Sequence, residues 1–338
     1  MSLVFHQFQD DSLPALTELW NASAANCHGF HPLAPEDFRR HFHEFPNFTP
    51  GRLLLAHAGG ELVGMVHYDV VDMRPYYPRA GVVSAIMVRP GARGRGFGRA
   101  LLNEALARLK KSGETLIDAL GAWPYSSFYV GLIDGSERAG VDCADPVALG
   151  LFAKAGFRRG RESLIMRAPM APIPGAASMA GAGAAPGAAL GKEMGLPPRL
   201  AGTRAVCRSR EGETTWLDVC FRRWRAYDHA LVDEEGRELA QAIYARMDGY
   251  SEHCGRELYS VYGVNTPERW RRQGFAARNL RLMQARLASL GGQEMEVHVY
   301  ADNLPAVRLY ESVGFKPIGR AVIMRRDAAA PARGGVTP

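Results

Sequence analysis

Lysine is scarce in this chain. It occurs only at Lys110, Lys111, Lys154, Lys192 and Lys316, so the net charge of +6 is carried by arginine. No long basic run and no basic stripe with interleaved aromatics stands out, which argues against nucleic acid as a partner. Cysteine is sparse too. Cys27, Cys143, Cys207, Cys220 and Cys254 are scattered, odd in number and form no CxxC pair, the usage of reduced thiols and not of a disulfide frame or a zinc site. No apolar run reaches the roughly 18 residues a membrane helix needs. The N-terminal MSLVFHQFQDD lacks a basic segment followed by an apolar one, so a cytoplasmic protein without membrane contact is expected. Two familiar phosphate loops are also missing. No lysine follows the glycines as a Walker loop requires, and the spacing of Gly94, Gly96 and Gly98 is not the GxGxxG of a dinucleotide fold.

What is present is a strand, a glycine loop and a helix in direct succession over Val82–Leu109. The apolar run Val82–Val88 reads as a buried strand, stopped by Pro90 and Gly91. Arg93-Gly94-Arg95-Gly96-Phe97-Gly98 follows. Leu101, Leu102, Ala105, Leu106 and Leu109 then recur at helical spacing. A helix N-terminus reached through glycines presents unpaired N–H groups and a positive dipole end to an anion, and Arg93, Arg95 and Arg99 add charge. A pyrophosphate suits such a site.

The order of elements occurs twice. Leu258–Val264 is a second apolar strand, Arg271-Arg272-Gln273-Gly274-Phe275-Ala276 a second loop, and Ala277–Leu290 a second helix. Between the copies, Ala168–Pro198 is dominated by Ala, Gly and Pro and reads as a linker. These motifs resemble the acetyl-CoA loop of the GNAT family of N-acetyltransferases, Arg/Gln-x-x-Gly-x-Gly/Ala. The resemblance extends to a second family pattern, Asn-x-x-Ala-x-x-x-Tyr-x-x-x-Gly-Phe. The C-terminal copy fills it with Asn303, Ala306, Tyr310, Gly314 and Phe315, whereas the N-terminal copy has Asp145 for Asn and Phe152 for Tyr.

The resemblance implies a tandem of two GNAT domains of mixed α/β class, each a twisted mixed sheet flanked by helices. The expected boundaries are 1–168, a linker over 169–199, a second domain over 200–328 and a disordered tail over 329–338. Leu164–Arg167 is expected to close the first sheet and Val322–Arg325 the second. The implied function is transfer of an acetyl group from acetyl-CoA to an amine in a ternary complex; a non-catalytic acetyl-CoA-binding regulator is the alternative. The implied cofactor-binding residues are Met87, Val88, Arg93, Gly94, Arg95, Gly96, Phe97, Gly98 and Arg99 in the first copy. In the second they are Val264, Arg271, Gln273, Gly274, Phe275, Ala276 and Asn303. The backbone of Ile86–Val88 and of Tyr262–Val264 is expected to hold pantetheine, Tyr310 to protonate the leaving thiolate, and Glu257 to serve as base. The second loop looks two residues longer, since Val264 lies seven positions before Arg271 but Val88 only five before Arg93.

Two further segments invite a functional reading. Cys27–Phe48 sets His28, His31, His41 and His43 among five phenylalanines; no carboxylate or cysteine completes a metal set, so it reads as an acceptor-side wall and no metal is expected. Gly121–Val141 is long enough between strand and helix to be a lid. The acceptor is a small-molecule or peptide amine, and the partner of each domain is the other copy in the chain.

Overall fold

The computed structural model describes residues 3–44, 48–72, 74–121, 125, 129, 140–171, 202–209 and 226–327. Most of the expected linker and lid, and the tail, lie outside them. The described residues form two compact units, one of residues up to 129, 140–163 and 319–327, the other within 164–318.

In the first unit, β1 (Val4–Gln7), β2 (Leu53–Ala58), β3 (Glu61–Val71) and β4 (Ala80–Val88) form an antiparallel run. β5 (Leu116–Ala119) then pairs parallel to β4. Pro14 at the second position starts α1 (Leu13–Ala24), and α2 (Pro35–Glu44) follows it. α3 (Phe97–Lys111) lays Leu101, Leu102, Ala105, Leu106 and Leu109 on the sheet, where they meet Leu54, Val66 and Val83. β6 (Val141–Asp142) and α4 (Pro146–Lys154) complete this repeat.

The second unit repeats the scheme. β8 (Arg204–Ser209), β9 (Tyr227–Val232) and β10 (Glu238–Arg246) lead through α5 (Asp248–Cys254) to β11 (Leu258–Asn265). α6 (Phe275–Ser289) and β12 (Glu294–Tyr300), parallel to β11, come next, then α7 (Leu304–Ser312).

The closing strands differ from expectation, because they are exchanged. β7 (Arg158–Pro169) finishes beside β12 of the second unit, where Leu164, Met166 and Ala168 join the core of Met295 and Val297. β13 (Lys316–Asp327) finishes beside β5 of the first, with Met324 opposite Ala119 and Arg325 opposite Asp118. The reason is visible in the residues. Leu164-Ile165-Met166-Arg167 and Val322-Ile323-Met324-Arg325 have one apolar pattern and one arginine, so either fits either sheet. Each arginine meets a buried carboxylate there: Arg325 grips Asp118 at 2.5 and 2.8 Å, and Arg167 reaches Glu296 at 2.8 Å. An aromatic ring stands near each guanidinium, Tyr125 at 5.8 Å and Tyr250 at 6.0 Å.

Candidate active site

Each unit has a wedge where its two parallel strands part. The β4–β5 ladder runs from Gly81↔Ile117 to Val83↔Ala119 and stops, while β4 continues to Val88. The β11–β12 ladder runs from Leu258↔Glu294 to Val261↔Val297 and stops, while β11 continues to Asn265 and β12 to Tyr300. Just beyond each last rung the central strand carries one extra residue against its antiparallel neighbour, which turns it away from the parallel one. A slender chain can enter such a gap and meet strand backbone on both sides.

The glycine loop lies at the open end of each wedge, and the two loops have the same length. Counted from Val83 and Val261, the last paired residues, Arg93 and Arg271 are each ten positions on. The residue equivalent to Val88 is therefore Thr266, and Val264 corresponds to Ile86. The apparent two-residue excess belongs to the strand: β11 runs past Val264 to Asn265. Both loops pass through one 3₁₀ turn, Pro90–Ala92 or Glu268–Trp270. Both reach the helix through a left-handed glycine, Gly96 at φ 83° or Gly274 at φ 86°. Neither helix has a side-chain cap, so the N–H groups of its first turn remain open to an anion. A side chain at Gly98 would meet Leu151 and Val88 at an ordinary 3.7 Å, which explains why Ala276 is tolerated at the same place. One position departs. Gly94 has φ 79°, and its counterpart Arg272 takes φ 61° despite its side chain.

The expected cofactor residues divide by role. Arg93 donates from Nε to the Val88 carbonyl (3.1 Å) and from Nη2 to that of Ser23 (3.1 Å), so its guanidinium braces the loop. Arg271 repeats the brace to the Thr266 carbonyl at 3.0 Å, and Gln273 donates to that of Arg269 at 3.0 Å. Phe97 and Phe275 are buried in their cores and leave only backbone to a ligand. Arg95 and Arg99 are exposed beside the glycines. Met87 and Val88 end β4, half-buried at the wedge. Asn303 caps α7, accepting from the Ala306 N–H at 3.3 Å, and Asp145 caps α4 in the same way.

Tyr310 and Phe152 stand at corresponding places on α7 and α4, each against the phenylalanine five residues on. Phe152 is fully buried. Among the described residues nothing hydrogen-bonds the Tyr310 hydroxyl, and burial pushes its pKa above the ordinary phenol value, which keeps the proton on.

Glu257 is not brought to this site. It precedes β11 at the end away from the loop, eight strand residues or about 26 Å distant. Arg246 grips it at 2.7 and 2.8 Å and holds its pKa below the usual carboxylate value, the opposite of what a general base needs. The side chains overlooked in the sequence are on β12. Glu296, His298 and Tyr300 alternate with Met295, Val297 and Val299, and His298 is the first residue past the last rung of the wedge. A polar face on an interior parallel strand, which is ordinarily apolar throughout, was the available signal. The histidine-rich segment after α1 forms a packed aromatic cluster in the first unit. Phe38 packs edge-on to Trp20, and His41 stacks on Tyr129. His67 shares a 3.1 Å hydrogen bond with the Tyr129 hydroxyl.

A model of the acetyltransferase (GNAT) family matches residues 13–124 and again 202–315. The chain belongs to that family and is an acyltransferase with two GNAT domains in tandem. It is 26% identical to the mycothiol acetyltransferase of Actinosynnema mirum over 84% of this chain and 86% of that one. To the mycothiol acetyltransferase of Acidothermus cellulolyticus it is 25% identical, over 81% of this chain and 78% of the other. Among solved structures, a tandem GNAT protein from the clavulanic acid biosynthesis pathway shares the fold, with a TM-score of 0.62 at 17% identity over 98% of this chain and all of that one. Among the described residues no helix is long and apolar enough to cross a membrane.

Proposed function

We propose that the second unit transfers an acetyl group from acetyl-CoA to an amine by direct attack, while the first unit binds acetyl-CoA without turning it over. Two loops of one geometry support diphosphate binding in both units. The observation that carries the assignment is the pair Tyr310 and Phe152: only the first has a proton to give to a departing thiolate.

In this reading the open N–H groups at the starts of α3 and α6 bind the diphosphate. The ends of β4 and β11, Ile86–Val88 and Val264–Thr266, hold the pantetheine arm in the wedge. Most of the acceleration comes from holding the thioester carbonyl and the amine in contact. Tyr310 adds the proton that lets the thiolate leave. The two mycothiol acetyltransferases, each similar over some four fifths of this chain, make the amine that those enzymes acetylate the first acceptor to try.

The test is a set of three variants, each assayed for acetyl transfer from labelled acetyl-CoA. Gly274→Glu puts a carboxylate where the diphosphate is to lie and is expected to abolish turnover. Tyr310→Phe is expected to cost about 10²-fold or more in kcat. Gly96→Glu is expected to remove one bound acetyl-CoA per chain by calorimetry and leave turnover in place. If Gly96→Glu abolishes turnover while the other two leave it intact, the units have been assigned the wrong way round.

A further inference from the structure

The second unit carries a second side chain that its partner repeat lacks. Since Val261↔Val297 and Val83↔Ala119 are the last rungs of the two wedges, His298 corresponds to Leu120. Leu120 leaves the strand at φ 59°, ending β5, whereas β12 continues straight through His298 to Tyr300. The carboxylate one step inside the rung is common to both units, Asp118 or Glu296, and so is the arginine that grips it. The clamp is therefore shared architecture, and the imidazole is the addition. His298 Nε2 lies 3.4 Å from Glu296 Oε1.

The faces of the sheet matter next. Met295 and Val297 point to the side where α6 and α7 pack, the side of Tyr310. Glu296 and His298 point to the other, with Ser260 and Tyr262 of β11 and Arg167 of β7. A thioester held in the wedge thus has a phenol on one side of the sheet and an imidazole on the other. Such a division gives the arriving amine and the departing thiolate separate partners for their protons.

We propose that His298, beside Glu296, accepts the proton of the attacking ammonium in the second unit. This rests on the reading of that unit as the catalytic one. The N–H bond of the ammonium breaks and its proton passes to the imidazole. The freed lone pair forms the C–N bond to the acetyl carbon. As the carbonyl re-forms, the C–S bond breaks and its electron pair takes the phenolic proton of Tyr310, while the second proton of the former ammonium leaves the nitrogen to solvent and the neutral amide remains. The imidazolium then releases its proton to solvent and the phenolate regains one from it. Glu296, 3.4 Å from the ring and gripped by Arg167, places a carboxylate beside the imidazolium while it exists. The ligand class that follows is an amine protonated at neutral pH; an acceptor already neutral has no use for the imidazole.

That distinction supplies the test. The full-length protein and its His298→Gln variant, checked for equal melting temperature, are compared on a series of acceptors from strongly basic alkylamines to weakly basic alkoxyamines. The expected loss in kcat/KM is about 10²-fold or more for the alkylamines, shrinking towards none for the alkoxyamines. Added imidazole is expected to restore part of the alkylamine rate in His298→Gly. An equal loss across the series without rescue makes His298 structural, and an unchanged rate removes it from the reaction; either overturns the proposal. Wild-type protein that acetylates no amine defeats the catalytic reading itself, whereas an active wild type matched by His298→Gln defeats this inference alone.

Discussion

Gly96 and Gly274 open their helices at φ 83° and 86°, each three residues after an arginine that lies ten positions past the last rung of its wedge and is braced five residues back. Beside these matching loops stand Phe152 and Leu120 in the first unit and Tyr310 and His298 in the second. The contrast separates two kinds of requirement. A diphosphate site is made of backbone, so it persists as long as glycine holds the turn. Proton transfer depends on single side chains, and one substitution at each place removes it without disturbing the fold around it.

The largest expected effect breaks the symmetry of the units at its root. Ending the chain after Ile318 removes Val322 and Met324 from the first core and uncovers the edge of β5. Hydrogen exchange is expected to show β2–β5 unprotected while β9–β12 keep their protection. Protection retained in both would mean that the exchanged strand is dispensable.

Next in size is the chemical contrast. Tyr310→Phe makes the second unit resemble the first and is expected to lower kcat by about 10²–10⁴-fold with little change in melting temperature. Phe152→Tyr alone is expected to give the first unit no measurable turnover, since Leu120 stands where the second unit has His298. Single-turnover assays on both variants check the pair.

The carboxylate clamps come third. Arg325→Met leaves Asp118 buried without its partner and is expected to cost about 3–5 kcal/mol by denaturant unfolding. Arg167→Met is expected to cost a similar amount through Glu296, and in addition to slow acetyl transfer if His298 is the base, because of the two clamped carboxylates only Glu296 has a histidine beside it. Equal activity in the two variants would argue against a role for the Glu296–His298 pair.

Acid sharpens the comparison of the cores. Burial lowers the pKa of His67 in the first unit to about 3 and that of His229 in the second to about 4, from an ordinary 6.5. Below pH 6.5 the unfolded chain takes up protons that the folded one refuses. Stability is therefore lost as pH falls from 6.5 towards those values, by about 1.4 kcal/mol per pH unit for each histidine. His229 shares a 2.9 Å hydrogen bond with Asn279, in the place where the first unit packs Leu54 and Leu101. Changing both residues to leucine is expected to flatten the acid slope of the second unit alone, as pH-dependent melting of the variant would show.

The smallest effect lies in the loops. Arg272→Gly relieves a left-handed arginine and is expected to raise stability by about 1 kcal/mol or less, with Gly94→Arg lowering it in return. Thermal melts of the two variants measure both.

Much of this molecule was legible residue by residue. Glycines ahead of an amphipathic helix located the left-handed turns at Gly96 and Gly274 and the uncapped helix starts behind them, because glycine enters that turn without strain. Repetition of loop and Asn…Tyr…Gly-Phe pattern identifies a tandem because those spacings are local. The loop-length difference was an error of local counting: a strand end cannot be located from apolar residues when the strand continues through Asn265. Glu257 misled for a related reason, since nearness in sequence to the central strand does not say which end of it a residue occupies. Tertiary structure alone decided that β7 and β13 change places, because two strands of the same pattern satisfy either sheet equally and only chain geometry chooses. It alone set His298 at the mouth of a wedge, since a wedge exists only where two distant strands cease to pair. Sequence by itself determined what recurs locally, the loops and their helices; pairing across the fold determined which buried carboxylate meets which arginine, and which side chains face the gap.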